Sequence, residues 1–210
     1  MKVALYGATG AAGSRILKEL VSRGHQVTAL ARDPAKLVQS GANVRVKQDD
    51  LSDPKSIAAA IGDAEAVVSA YSPPKNDLEA LTGVTQRQVE ALKGKTGVRL
   101  VVVGGAGGLN IAPNLALVDS PYMPEPFKPI ARAHVNAFNV LKASTIDWTY
   151  FAPAAFFEPG QRTGQFRLGK DDLIANAQQE SRISMEDYAV ALVDELEKPR
   201  HRRQRFTIGY

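Results

Sequence analysis

KVALYGATGAAGS, residues 2–14, opens as an apolar strand from Lys2 to Tyr6, passes through glycines at 7, 10 and 13, and runs into the amphipathic segment Arg15 to Val21. Strand, glycine-spaced turn and helix in that order make a β-turn-α unit suited to a dinucleotide. Gly7 permits a tight turn, Gly10 lets backbone approach a pyrophosphate, and Gly13 lets helix pack closely on strand. The candidate phosphate cradle is therefore Gly7, Thr9, Gly10, Ala11, Ala12 and Gly13, with free N–H groups of the helix N-terminus aimed at the anion. The alternative is a strand-to-helix turn that holds no ligand.

Working outward, short apolar runs recur at Gln26–Ala31, Asn43–Lys47, Glu65–Ala70, Val98–Gly104, Asp147–Ala152 and Arg205–Tyr210. Their continuous hydrophobicity suits parallel strands covered on both faces. Asp33-Pro34 and Asp53-Pro54 read as helix starts, each an N-cap acid followed by proline, and Ser184 to Asp187 reads as a capping box opening the last helix. Helices are also expected over Asn76–Lys93 and Lys128–Lys142. The alternation predicts an α/β fold, a Rossmann-like doubly wound parallel sheet in a single domain over 1–210, with its ligand at the carboxyl ends of the strands. Two long stretches, Gly104–Phe127 and Pro153–Leu173, leave strand ends on that side and read as substrate walls.

With 210 residues and 44% hydrophobic content the chain can bury one substantial core. It has no cysteine, which excludes disulfides, a thiolate nucleophile and Cys/His metal clusters. The opening apolar run is broken at Gly7 and no later run could span a bilayer, so a soluble cytoplasmic protein is expected. A net charge of +4 suits an anionic ligand. Its densest part, Lys198 to Arg205, has no interleaved aromatics and reads as a solvated basic turn rather than a nucleic-acid site.

The end of the second strand separates the two nicotinamide cofactors: an acid there bonds ribose hydroxyls, whereas an arginine accommodates a 2′-phosphate. Arg32 stands first and Asp33 is explained as a cap, so NADP(H) is favoured over NAD(H), against the alternative that Arg32 is a loop charge. Arg15 is a lesser candidate for a second positive charge. The wording GATGAAG resembles the short-chain dehydrogenase/reductase superfamily, in its extended and atypical branches. That resemblance implies that Asp50-Leu51 holds the adenine; the alternative is that one of these acids, Asp49 before Asp50, is a loop or helix-start charge. By position, Ala70 and Tyr71 would run under the ribose, and Gly104 and Gly105 would let backbone approach the cofactor.

Most members of that superfamily carry a serine at the end of the fifth strand and Tyr-x-x-x-Lys on the next helix. Here the strand ends in Gly104-Gly105-Ala106-Gly107, and Ile130 and His134 stand at the tyrosine and lysine positions. The chain thus looks like the atypical NAD(P)H-binding group that includes NmrA-like proteins, biliverdin reductase B and proteins classed as NADH-flavin reductases, most closely the last. GATG, ARDP, DWTYFAPAAFFEPG with its Pro153, SRISMEDYA and RFTIGY carry the likeness. It implies hydride transfer from NAD(P)H to a conjugated acceptor such as a flavin. Tyr122, Phe127, Phe156 and Phe157 are candidates to stack such a ring, or pack as ordinary loop residues; adjacent Phe156 and Phe157 cannot both easily face inward.

His134 either serves the ribose or the product, or is a helix histidine with no such task. Arg162 and Arg167 read mainly as surface charges, and His25 and His201 have no constellation around them. The alternative function is a non-catalytic, NmrA-like redox sensor. An epimerase or dehydratase is disfavoured by the missing Tyr-x-x-x-Lys. Either a monomer or a homodimer is compatible with the helix faces.

Overall fold

The computed structural model describes residues 1–37 and 41–210. In chain order the elements are β1 (Lys2–Tyr6), α1 (Ala11–Ser22), β2 (Gln26–Ala31), β3 (Val44–Gln48), α2 (Pro54–Ile61), β4 (Ala66–Ser69), α3 (Ala80–Leu92), β5 (Arg99–Val103), β6 (Asn110–Ala112), β7 (Leu115–Ala116), α4 (Lys128–Ala143), β8 (Trp148–Ala152), β9 (Phe156–Glu158), β10 (Arg167–Gly169), β11 (Arg182–Ser184), α5 (Met185–Glu197) and β12 (Gln204–Gly209). Eight strands form the main sheet in the order β10-β12-β8-β5-β4-β1-β2-β3. All its pairings are parallel except that of the edge strand β10 with β12. Strand order reverses between β1 and β4, where Val3 pairs with Val27 on one side and Ala66 on the other. A crevice at the carboxyl ends of β1 and β4 follows from this reversal.

The central strands are apolar on both faces because both are covered. On one face Val3, Leu5 and Val101 pack with Ile16 and Leu20 of α1 and with Tyr188, Leu192 and Leu196 of α5. On the other, Ala4, Tyr6, Leu100 and Val102 pack with Ile57 of α2, Val84 and Leu92 of α3 and Leu141 of α4. Phe151 stacks between Tyr188 and Phe206 at 4.1 and 4.0 Å, and the Tyr188 hydroxyl donates to the Phe151 carbonyl at 2.7 Å.

The helix starts are mixed in outcome. Asp53 caps α2 through Ser56 N–H at 2.9 Å, as its sequence predicts. Asp33 instead opens a 3₁₀ turn, Pro34–Lys36, accepting from Ala35 N–H at 3.2 Å, and Leu37 after it packs on the core. Helix α3 begins at Ala80, later than expected; the Asp77 carboxylate accepts the Ala80 N–H at 3.2 Å, three residues ahead of the helix. Ser184 caps α5 through the Asp187 N–H at 3.0 Å, but the reciprocal arm of a capping box is missing. The buried Asp187 carboxylate is occupied by the N–H and hydroxyl of Thr163, the Gly164 N–H and the Tyr210 hydroxyl, while Ser184 N–H donates to that same tyrosine at 3.2 Å.

Both long stretches contain structure. Gly104–Phe127 holds the β6-β7 hairpin and three 3₁₀ turns. Pro153–Leu173 holds β9, paired parallel with β11, and β10, which extends the main sheet. Among the described residues no helix is long and apolar enough to cross a membrane.

Candidate functional site

At the strand reversal the glycine loop is fixed by close packing. Gly7 has φ +79°, and a β-carbon on it would lie 2.2 Å from the Ala70 carbonyl oxygen at the end of β4. A β-carbon on Gly13 would lie 2.0 Å from the Gly7 carbonyl oxygen, so α1 sits against the turn as only glycine allows. Gly10 differs: a β-carbon there meets only the Gly7 oxygen, at 3.2 Å, and otherwise open space. Thr9, Gly10 and Ala11 are exposed while Gly13 is buried and Ala12 half-buried. No side chain caps α1 and no acid lies in its first turn, so its first N–H groups and positive dipole end are left for an anion. These features fit a pyrophosphate, and Gly7, Thr9, Gly10, Ala11, Ala12 and Gly13 are the residues that would hold it.

Arg32 is exposed past the end of β2 and meets no carboxylate among the described residues. It lines a cleft with Gln48, Asp49, Asp50 and Ser52, and a second cleft lined by Thr9, Ser14, Lys18, Lys36 and Leu37 flanks the glycine loop. The adjoining acids reverse their expected characters. Asp49 is buried, accepts the Leu51 N–H at 2.7 Å through Oδ1, and has Oδ2 enclosed without a partner. Asp50 is exposed, and bonds from Ser52 hold its carboxyl below the usual range. Leu51, at φ +62°, is buried in the core. Asp49 is thus a built part of this turn, not a stray loop charge; its place directly after the strand was the available signal.

Tyr71 is half-buried beside Leu78, Leu81 and Ile130. Gly104 and Gly105 make room for the protein's own side chains: β-carbons there would lie 2.4 Å from the Tyr150 ring and 2.9 Å from the His134 ring. Gly105 N–H donates to the Tyr150 hydroxyl at 3.0 Å, which donates in turn to the His134 carbonyl at 3.3 Å. His134 on α4 is half-buried with Nδ1 enclosed and unpartnered, and desolvation pushes its pKa down to about 4. Its imidazole is neutral near pH 7. Pro153 is buried at the end of β8.

The four aromatic candidates divide. Phe157 turns inward onto Tyr188, with ring centroids 4.7 Å apart, so core packing accounts for it. Phe156 is 53% exposed under the Arg182 guanidinium, and Tyr122 and Phe127 are 78% and 61% exposed. Inward and outward facing alternate along β9, as strand geometry demands.

Several charges assigned to the surface are tied down. Arg15 pairs with Glu186 at 2.6 Å, so it is not a free charge for a ligand, and Arg162 grips Glu19 of α1 through two bonds of 2.9 Å. Arg167 donates to the carbonyls of Ala175 and Tyr210. Within the basic stretch, Arg202 pairs with Asp147 and Arg205 with Asp171. Both peripheral histidines have constellations after all: His25 Nε2 lies 3.0 Å from Glu197, and His201 Nδ1 lies 2.8 Å from the buried Glu195, which also holds Arg99.

The model of a family described as NAD(P)H-binding matches residues 7–199. Three solved structures are similar over the whole chain, and their names give three provisional assignments. An exported protein from Burkholderia pseudomallei is 47% identical, with a TM-score of 0.88 and all of both chains covered. An epimerase from Bacteroides thetaiotaomicron is 42% identical, with a TM-score of 0.92, covering 96% of that chain. An NADH-flavin reductase from Streptococcus pneumoniae is 34% identical, with a TM-score of 0.90, covering 99% of that chain. Fold, glycine cradle and a match over most of the sequence agree, and this chain belongs to the NAD(P)H-binding family of Rossmann-like proteins, within the atypical short-chain dehydrogenases/reductases.

Proposed function

We propose that the protein is an NAD(P)H-dependent reductase that passes hydride to a small, planar, conjugated acceptor such as a flavin, with NADP(H) preferred through Arg32. The carrying observation is the tight packing of Gly7 against Ala70 and Gly13, which turns the uncapped N-terminus of α1 toward the strand ends. Reduced nicotinamide, when bound, supplies the hydride. The chain's own contribution is binding and orientation. The serine, tyrosine and lysine of most superfamily members are absent: the fifth strand ends in Gly104-Gly105-Ala106-Gly107, Ile130 and His134 stand at the tyrosine and lysine positions, and His134 is neutral with a depressed pKa. Such a site suits an acceptor that needs no protonation by the protein, and disfavours the epimerase chemistry named for the Bacteroides relative. Tyr122, Phe127 and Phe156 would face the acceptor. Neither nucleic acid nor membrane belongs to this reading, in which the protein works in the cytoplasm as a monomer or homodimer.

The missing proton donors also favour a second reading, a sensor of the NmrA-like kind that binds cofactor without turnover. Titration with NADPH and NADH, followed at the reduced-nicotinamide absorbance with and without FMN, separates the two. The reductase requires NADPH binding that Arg32→Ala weakens and FMN-dependent oxidation above the protein-free rate. Binding without oxidation selects the sensor, and binding of neither cofactor overturns both.

A further inference from the structure

Arg15, Arg23, Arg99, Arg162 and Arg205 each face a carboxylate. Arg32, Arg45, Arg87, Arg167, Arg200 and Arg203 do not, among the described residues, and of these only Arg87 is half-buried, the others being exposed. A half-buried guanidinium without a counter-charge has lost hydration and gained little in return.

What Arg87 does make is one bond. Its Nε donates to the Leu51 carbonyl at 2.6 Å. The guanidinium lies along α3 over Gly83, where a β-carbon would come within 3.3 Å of Nη1. The carbonyl it grips belongs to the left-handed residue of the turn after β3, whose N–H is held by Asp49. Arg87 and Asp49 thus pin one peptide turn from two sides, and the terminal nitrogens of Arg87 have no protein acceptor among the described residues. Arg32, past the end of β2, lines a cleft with Asp49, Asp50 and Ser52 of that same turn. Burial raises the pKa of the Tyr71 phenol while the charges of Arg32 and Arg87 pull it back, and Arg87 also acts on Asp50. Two guanidiniums with no ion-pair contact among the described residues therefore bear on the ends of β2, β3 and β4.

We propose that Arg87 is a second specificity-determining arginine for the cofactor, taking the 2′-phosphate of NADP(H) together with Arg32 while its bond to the Leu51 carbonyl fixes the turn beneath the adenine. This rests on the reading of the protein as NADP(H)-dependent. A phosphate dianion satisfies two forked cations at once, and NAD(H) offers nothing at that place.

The test is calorimetric titration of the full chain with NADPH and with NADH, for wild type, Arg87→Gln and Arg87→Lys. Glutamine keeps a donor for the Leu51 carbonyl without the charge. It is expected to weaken NADPH roughly tenfold or more and NADH less than about threefold, and lysine, which keeps the charge without the fork, to recover part of the NADPH affinity. Equal losses for both cofactors would reduce Arg87 to support of the turn and overturn the proposal, as would variants that match wild type. Wild type that binds neither cofactor overturns the underlying reading and this inference with it; wild type that binds NADPH beside unaffected variants overturns only the inference.

Discussion

The Gly7 carbonyl oxygen occupies the place a side chain at Gly13 would need, 2.0 Å from the position of its β-carbon. Gly10, three residues earlier, has only that same oxygen nearby, at 3.2 Å. Gly13→Ala must push α1 off β1 and is expected to cost about 3 kcal/mol or more, read as a lowered urea midpoint. Gly10→Ala should cost less than about 1 kcal/mol yet weaken NADPH binding. Equal stability losses would show that Gly10 serves packing alone.

Burial of His134 makes stability depend on pH with a definite sign. Its folded pKa, about 4, lies below the ordinary 6.5, so between those values the unfolded chain binds the proton and the folded chain does not. Stability is therefore full above pH 6.5 and declines as pH falls toward 4, by up to about 3 kcal/mol. His134→Gln should flatten that slope. Nuclear magnetic resonance titration of the chain's three histidines should show one imidazole titrating near 4; three ordinary curves would refute the assignment.

Asp187 governs a lower range. Burial would raise its carboxyl, but the bonds from Thr163, Gly164 and Tyr210 more than offset that and hold it below the usual value. Its contribution is present above pH ~4 and lost as pH falls through the folded pKa. Asp187→Asn is expected to destabilise by about 2–4 kcal/mol at pH 7 and to free residues 159–165, seen as faster amide exchange at Thr163 and Gly164.

The aromatic residues predict opposite outcomes. Phe157→Ala removes a half-buried ring packed on Tyr188 and should cost about 2 kcal/mol. Tyr122→Ala and Phe127→Ala remove exposed rings and should change stability by less than about 0.5 kcal/mol. If either ring walls the acceptor, KM for FMN rises while NADPH affinity stays level; an unchanged KM removes both from the site.

The main parallel strands and the cradle were legible because their signals are local: continuous apolar runs, spaced glycines, an acid before a proline. Strands β9, β10 and β11 were not, since each is three residues long and exists only by pairing with distant partners. The same holds for Asp49 and Asp50, whose neighbouring identical residues differ only in burial. Arg87 carried no motif at all; its significance comes from α3 crossing beside the turn after β3. His201 looked solitary because its partner Glu195, itself held by Arg99 of β5, reaches it from α5.

The Asp187 clasp also bears on the order in which the molecule is completed. Thr163 and Gly164 are held by a helix that lies beyond them in sequence, and Tyr210, which shares that carboxylate, lies farther still. On a growing polypeptide the strands that bind cofactor can assemble while residues 159–165 still lack their anchor. A nascent chain would thus present its glycine turn before residues 159–165 are anchored, and a cofactor that binds that turn as proposed would act early as a template for the late segments.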